Sequence, residues 1–137
     1  MKTSEAVTPK HPDKICDRIS DKILDECLKQ DKNSRVAVEA MGGHGKVTVM
    51  GEITTNADID IPKIVNKITD KDYEVEVNVT SQSNEIANGV DSGGAGDQGI
   101  MVGYACTENE AMLPHENYLA KDLCKYIYDK HSVDGKT

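Results

Sequence analysis

Arg35–Ala40 (RVAVEA) and Lys46–Thr55 (KVTVMGEITT), joined through Gly42-Gly43-His44-Gly45, are the residues on which the fold turns. In the first run Val36, Val38 and Ala40 fall on one side and Ala37 and Glu39 on the other, the period of a half-buried strand. Val47, Val49 and Ile53 repeat that alternation in the second run. The glycines between them reverse the chain, which predicts an antiparallel hairpin. Glu39 and Glu52 are its two acids. Either is a cation or ammonium ligand or a solvated outer-face residue, and the pattern alone does not choose. His44 reads as part of the turn, since one histidine is no ligand set.

Apolar helices flank the hairpin in the sequence. His11-Pro12-Asp13-Lys14 opens the first, because proline is favoured at the first helical position and Asp13 and Asp17 suit the positive end of the helix dipole. Ile15, Ile19, Ile23 and Cys27, with Leu24 and Leu28, make one apolar face through about Gln30. The same helix start is either a capped terminus with solvated charges, the more common case, or a site where His11, Asp13 and Lys14 hold a magnesium-bound polyphosphate. Asp60 caps a second helix with Pro62 in its first turn and Ile61, Ile64, Val65 and Ile68 on one face. Tyr73–Thr80 follows as a strand, with Val75, Val77 and Val79 facing one way and Glu74, Glu76 and Asn78 the other, as in a sheet covered by helices on one side only.

Beyond Ser81–Ser92, a polar stretch that could form a lid or a plain surface loop, lies Gly93-Gly94-Ala95-Gly96-Asp97-Gln98-Gly99. Four glycines in seven positions let the backbone approach a ligand while leaving one carboxylate and one amide. The run Ile100-Met101-Val102 after it reads as a buried strand that continues through Cys106. Met112 and Pro114 open a third helical stretch with Leu119, Leu123, Cys124 and Ile127 on its apolar side. Asp134 to Thr137 has the character of a turn leading into a further strand.

Composition narrows the function. A chain of 137 residues suffices for one core but is short for an enzyme holding two substrates. The 24 acidic against 16 basic side chains give a net charge of -8, which argues against nucleic acid or an anionic membrane as partner. Cys16, Cys27, Cys106 and Cys124 show no paired C-x-x-C spacing and no apolar signal segment follows Met1, so reduced thiols and a cytoplasmic location are expected.

His11–Lys14 (HPDK), Gly51–Thr55 (GEITT) and Gly94–Gly99 (GAGDQG), in that order, resemble the methionine adenosyltransferase family, also called S-adenosylmethionine synthetase; Asp134–Lys136 resembles a further family segment. The resemblance spans nearly the whole chain and the amino-terminal part of the family, whose members continue into a basic, glycine-rich segment. It implies an α+β fold with a mixed or antiparallel sheet and helices packed on one face. It divides the chain into residues 1–92, an amino-terminal synthetase unit, and 93–137, the start of a second.

The activity implied is formation of S-adenosylmethionine from ATP and L-methionine, with tripolyphosphate released and hydrolysed, assisted by Mg2+ and K+. His11, Lys14, Asp134, Gly135 and Lys136 would meet the nucleotide, with His11 and Lys136 in catalytic roles. Glu52, Gln82 and Asp97 would contact methionine, Asp13 would bind magnesium, and Glu39 would help hold potassium. The expected assembly is a homo-oligomer with active sites between subunits, or a pairing with a chain that carries the basic segment. The other class of function is a non-catalytic interaction module that keeps the ligand motifs. Lys10 stands where the family usually has glycine, and the segment from Gln82 to Asp97 is shorter than in longer bacterial members.

Overall fold

The computed structural model describes residues 2–69, 73–83, 93–94 and 99–131. They fall into two compact units, Pro12–Gln98 and a second made of Met1–His11 with Gly99–Thr137.

In the first unit, helix α1 (Pro12–Gln30) begins at the proline and ends as expected. Strands β1 (Arg35–Gly43) and β2 (Lys46–Thr54) pair antiparallel in continuous register, from Arg35 opposite Thr54 to Gly43 opposite Lys46. The turn is tighter than four glycine-rich residues suggested: Gly42 and Gly43 belong to β1. Only His44 and Gly45 reverse the chain, both at positive φ (52° and 83°), as a two-residue hairpin turn of the right twist requires. Helix α2 (Ile61–Thr69) is capped by Asp60, whose Oδ1 accepts the Lys63 N–H at 3.0 Å. Strand β3 (Glu74–Thr80) then pairs parallel with β2, Lys46 opposite Glu74 and Glu52 opposite Thr80. Tyr73 stays outside the strand because its N–H donates to Asn66 Oδ1 instead.

The result is an α+β unit with a mixed sheet of order β1-β2-β3. A parallel neighbour cannot be reached by a tight turn; α2 supplies the crossover. Both helices pack on one face, α1 on β1, α2 on β3, and each on the other. Ile19, Ile23 and Cys27 of α1, Val38 of β1, Val47 and Val49 of β2, and Ile61 and Val65 of α2 form the buried core. On the opposite face Met41 and Met50 stand 76% and 51% exposed, and neither helix of this unit packs there. Lys46 lies there between Glu76 and Glu74, at 3.2 and 3.4 Å, and both acids raise its pKa.

Beyond α1, Asp31 ties the helix end to the end of β2. Its carboxylate accepts the N–H groups of Asn33 (3.0 Å) and Asn56 (2.9 Å) and the Asn56 side-chain amide (3.1 Å). Ser34 Oγ meets Thr55 Oγ1 at 2.6 Å and donates to Asp31 O at 2.7 Å. The bonds to its carboxylate, from the Asn56 N–H first and then the Asn33 N–H, hold the Asp31 carboxyl below its ordinary pKa.

The second unit departs from expectation. Ile100, Met101 and Val102 are 92%, 93% and 90% exposed, and residues 99–106 form no strand. An extended segment becomes a strand only when its N–H and C=O groups find a ladder partner, and the described residues of this unit contain none. The third helix, α3 (His115–His131), starts one residue after Pro114 rather than at Met112. Met112 takes φ 56° inside a turn held by Asn109, which donates to Leu113 O at 2.6 Å and accepts from Ala111 N at 3.1 Å. Glu108 caps α3 by accepting the His115 N–H at 2.7 Å. The apolar side expected for it is not covered: Leu119, Leu123 and Ile127 are exposed, Cys124 is half-buried, and no residue of α3 is buried.

Two consequences are measurable. Ile23→Ala empties a fully buried core position and should cost about 2–5 kcal/mol in chemical denaturation. Asp31→Ala should lower stability at neutral pH. Because the folded-state pKa is depressed, that contribution is present above the unfolded-state value and lost as pH falls through the folded one. The gap in Tm between wild type and Asp31→Ala should therefore close at acid pH.

Candidate functional site

Each residue of Gly51–Thr55 has a separate structural task. Gly51 holds φ 140°, and a Cβ there would lie against the Ala37 carbonyl oxygen and 2.8 Å from Val38 Cα. Only glycine allows the two strands to approach so closely. Glu52 points to the uncovered face, half-buried, opposite Ala37. Ile53 turns inward against the core. Thr54 Oγ1 accepts the Gln82 N–H at 3.1 Å, and Thr55 Oγ1 accepts the Ala57 N–H at 3.0 Å while meeting Ser34.

Gln82 is thereby anchored at the corner of the sheet where Glu52 faces out. Glu52 pairs with Thr80, and Gln82 follows two residues later. Its side chain is held as well, with Arg35 Nε donating to Gln82 Oε1 at 2.8 Å. Glu39 occupies the same face of β1, exposed, opposite Met50. Glu39 and Glu52 therefore share one face of the sheet, and Gln82 is tethered at its end to Thr54 and Arg35.

At the start of α1, Asp13 and Lys14 are exposed, and Lys14 pairs with Asp17 at 3.0 Å. Such a surface pair contributes little and exchanges readily for another anion. Asp13 also acts on Cys16, the next turn along. Burial, followed by the charges of Asp13 and Asp17, pushes the Cys16 thiol above its ordinary pKa, against a backbone hydrogen bond with Gly42 that lowers it. These effects disfavour the thiolate, the reactive form of a cysteine, at Cys16. All four cysteines are free. His11, in the other unit, ends a turn in which its N–H donates to Thr8 O at 3.0 Å.

Asp97, Asp134, Gly135 and Lys136 lie outside the described residues, as does most of the Ser81–Ser92 stretch. Among the described residues no three His, Cys, Asp or Glu side chains gather to hold a metal ion. Asp13 as a magnesium residue would then supply a single carboxylate, which suits an ion that keeps several waters and is held mainly through substrate phosphates; Glu39, the expected potassium residue, likewise stands as a single carboxylate. No described helix is long and apolar enough to cross a membrane. A groove between α1 and α2, lined by Lys22, Glu26, Asp58 and Lys63, contains none of the motif residues.

Sequence reasoning placed Arg35 in a strand, Thr54 in the GEITT motif and Asp31–Ser34 at a helix end, but missed the bonds by which they tether Gln82 and Asn56. The Asp-x-Asn-Ser string carries the composition of a side-chain-capped turn. Arg35 had no such signal, since its partner lies 47 positions away.

Comparison with known proteins agrees with the geometry. Residues 1–93 match the model of the S-adenosylmethionine synthetase N-terminal domain and residues 92–136 that of the central domain. An S-adenosylmethionine synthase of Mycoplasmopsis pulmonis (strain UAB CTIP) is 46% identical over 98% of this chain, and one of Brachyspira hyodysenteriae (strain ATCC 49526 / WA1) is 42% identical over 91%. The chain spans 38% of the length of each. A solved structure of an unusual S-adenosylmethionine synthetase from Campylobacter jejuni superimposes with a TM-score of 0.81 at 34% identity, covering 93% of this chain and 37% of that one. With both domain models matched in order and the GEITT segment built into the sheet as described, the chain belongs to the S-adenosylmethionine synthetase family.

Proposed function

We propose that this chain forms the methionine-binding and part of the nucleotide-binding portion of an enzyme that makes S-adenosylmethionine from ATP and L-methionine. The observation that carries this reading is the convergence of Glu52 and Gln82, far apart in sequence, on one corner of the uncovered sheet face in a chain of this family. Glu52 and Gln82 bind methionine there together with Asp97, whose carboxylate suits the ammonium group. The thioether sulfur attacks the ribose C5′ as tripolyphosphate leaves, and the leaving group is hydrolysed before product departs. A neutral sulfur needs no general base, so the protein's part is alignment of sulfur and C5′ and placement of positive charge where the leaving group gathers its own.

His11 lies against the triphosphate and ribose, and Lys14, Asp134, Gly135 and Lys136 complete this chain's contacts with the nucleotide. Lys14 exchanges its Asp17 partner for phosphate. Asp13 holds Mg2+, which when bound neutralises charge on the phosphate oxygens, and Glu39 contributes to a K+ site. The uncovered face of the sheet is the side on which a second subunit completes the site. Residues 1–92 and 93–137 serve as the first synthetase unit and the opening of the next.

The test separates metal, methionine and fold in the complete enzyme. Asp13→Asn should raise the magnesium concentration needed for activity while leaving Tm nearly unchanged, because an exposed acid at a helix start contributes only ~0.3–1 kcal/mol through the dipole. A large fall in Tm with unaltered metal dependence would identify Asp13 as a cap. Asp97→Asn should weaken methionine binding far more than ATP binding, by the ~1.5–3 kcal/mol of a charge-assisted hydrogen bond, as read by titration calorimetry.

A further inference from the structure

Arg35 opens β1 opposite Thr54, the last residue of β2. From that position its guanidinium reaches past the end of β2 to the segment after β3, where Nε donates to Gln82 Oε1 at 2.8 Å. The Gln82 backbone is tethered independently, through its N–H to Thr54 Oγ1 at 3.1 Å. Both Arg35 and Gln82 are half-buried, so this bond is not a fully solvated surface contact. A glutamine amide is two-faced, with a carbonyl that accepts and an NH2 that donates, and an unrestrained one can offer a ligand either end. A guanidinium has donors only. The amide end turned toward Arg35 is therefore the carbonyl, and the NH2 is left as the outward group.

Resting on the reading of Gln82 as a methionine contact, we propose that Arg35 is a positioning residue that fixes the Gln82 amide as a donor to the substrate carboxylate, not an acceptor for its ammonium. The division of labour follows from charge. Glu52 is anionic and suits the ammonium end of an amino acid. A carboxylate placed near that acid needs a directed donor, and the oriented NH2 of Gln82 supplies one without adding a charge that would pair with Glu52. The carboxylate end is where a free amino acid differs from its amide or ester, so this orientation selects the free acid.

Steady-state kinetics on the complete enzyme, with KM measured separately for methionine and ATP, tests the proposal through four variants. Gln82→Leu should raise the methionine KM about tenfold or more and leave the ATP KM unchanged; an unmoved methionine KM would remove the premise that Gln82 meets methionine. Arg35→Met keeps the aliphatic stem and deletes the donor. It should raise the methionine KM in the same direction with kcat and ATP KM close to wild type, and add nothing further in the Gln82→Leu background. If Gln82→Leu raises the KM while Arg35→Met does not, or if the two effects multiply in the double variant, positioning by Arg35 is overturned although Gln82 still contacts methionine.

Gln82→Glu decides the orientation with Arg35 intact, including the case in which Arg35→Met fails to fold. It preserves an oxygen facing the guanidinium and replaces the outward NH2 by a second oxygen. Its methionine KM should exceed that of Gln82→Leu, because an acceptor would then face the substrate carboxylate. A methionine KM no higher than that of Gln82→Leu overturns the donor assignment.

Discussion

β2 is hydrogen-bonded on both edges, antiparallel to β1 and parallel to β3, so a single register sets which of its side chains reach the core and which reach the open face. Val47 and Val49 are buried under α1 and α2, while Thr48, Met50, Glu52 and Thr54 take the other side. A slip of one residue would exchange the two sets. It would put Glu52 under the helices and the valines in water, so hydrophobic burial of the inner face is also what aims the acid outward. Burying one such aliphatic side chain contributes about 1.5–3 kcal/mol, and the core of Ile19, Ile23, Val38, Val47, Val49, Ile61 and Val65 repeats that gain many times. The orientation of Glu52 is thus secured by residues that would touch no substrate.

That coupling explains what could be read from sequence. The strict alternation in Val36–Ala40 and Val47–Val49, the four-residue repeat of Ile15, Ile19, Ile23 and Cys27, and the cap at Asp60 are local patterns with local causes. Each element they predicted is present. The motif acids Glu39 and Glu52 were legible as outer-face residues for the same reason. What failed was burial that depends on distant partners: Ile100-Met101-Val102 has the composition of a core strand but lacks a ladder partner and a cover among the described residues. The run of four turn residues shortened to His44 and Gly45 because strand pairing continues for as long as backbone partners face each other, even through glycine. Asn66 capturing the Tyr73 N–H, and Arg35 reaching Gln82, are side-chain bonds across long sequence separation, for which no periodicity exists.

The two ends of the sheet differ in kind. At the hairpin end, Lys46 is clasped by Glu74 and Glu76, and the Glu74 N–H donates to Gly45 O at 2.9 Å, closing the edge where β3 begins. At the other end the chain is held by hydroxyls and amides together with the Asp31 carboxylate and the Arg35 guanidinium, which bind Asn56 and Gln82 in turn. Charged groups there spend their hydrogen bonds on the backbone and side chains of the chain's own turns.

Gly51 carries a different implication. Its backbone lies so close to Ala37 and Val38 that no side chain fits, at a φ open to glycine alone, one residue before Glu52, the motif acid of the outer face. On the proposed reading of Glu52, a selection for function would eliminate every substitution at Gly51 as stringently as substitutions at Glu52. A mutational map alone would score the two positions alike and assign both to ligand recognition. They would separate only when folded protein is counted beside activity, since loss at Gly51 begins with the meeting of two strands, a meeting that a change at Glu52 leaves in place.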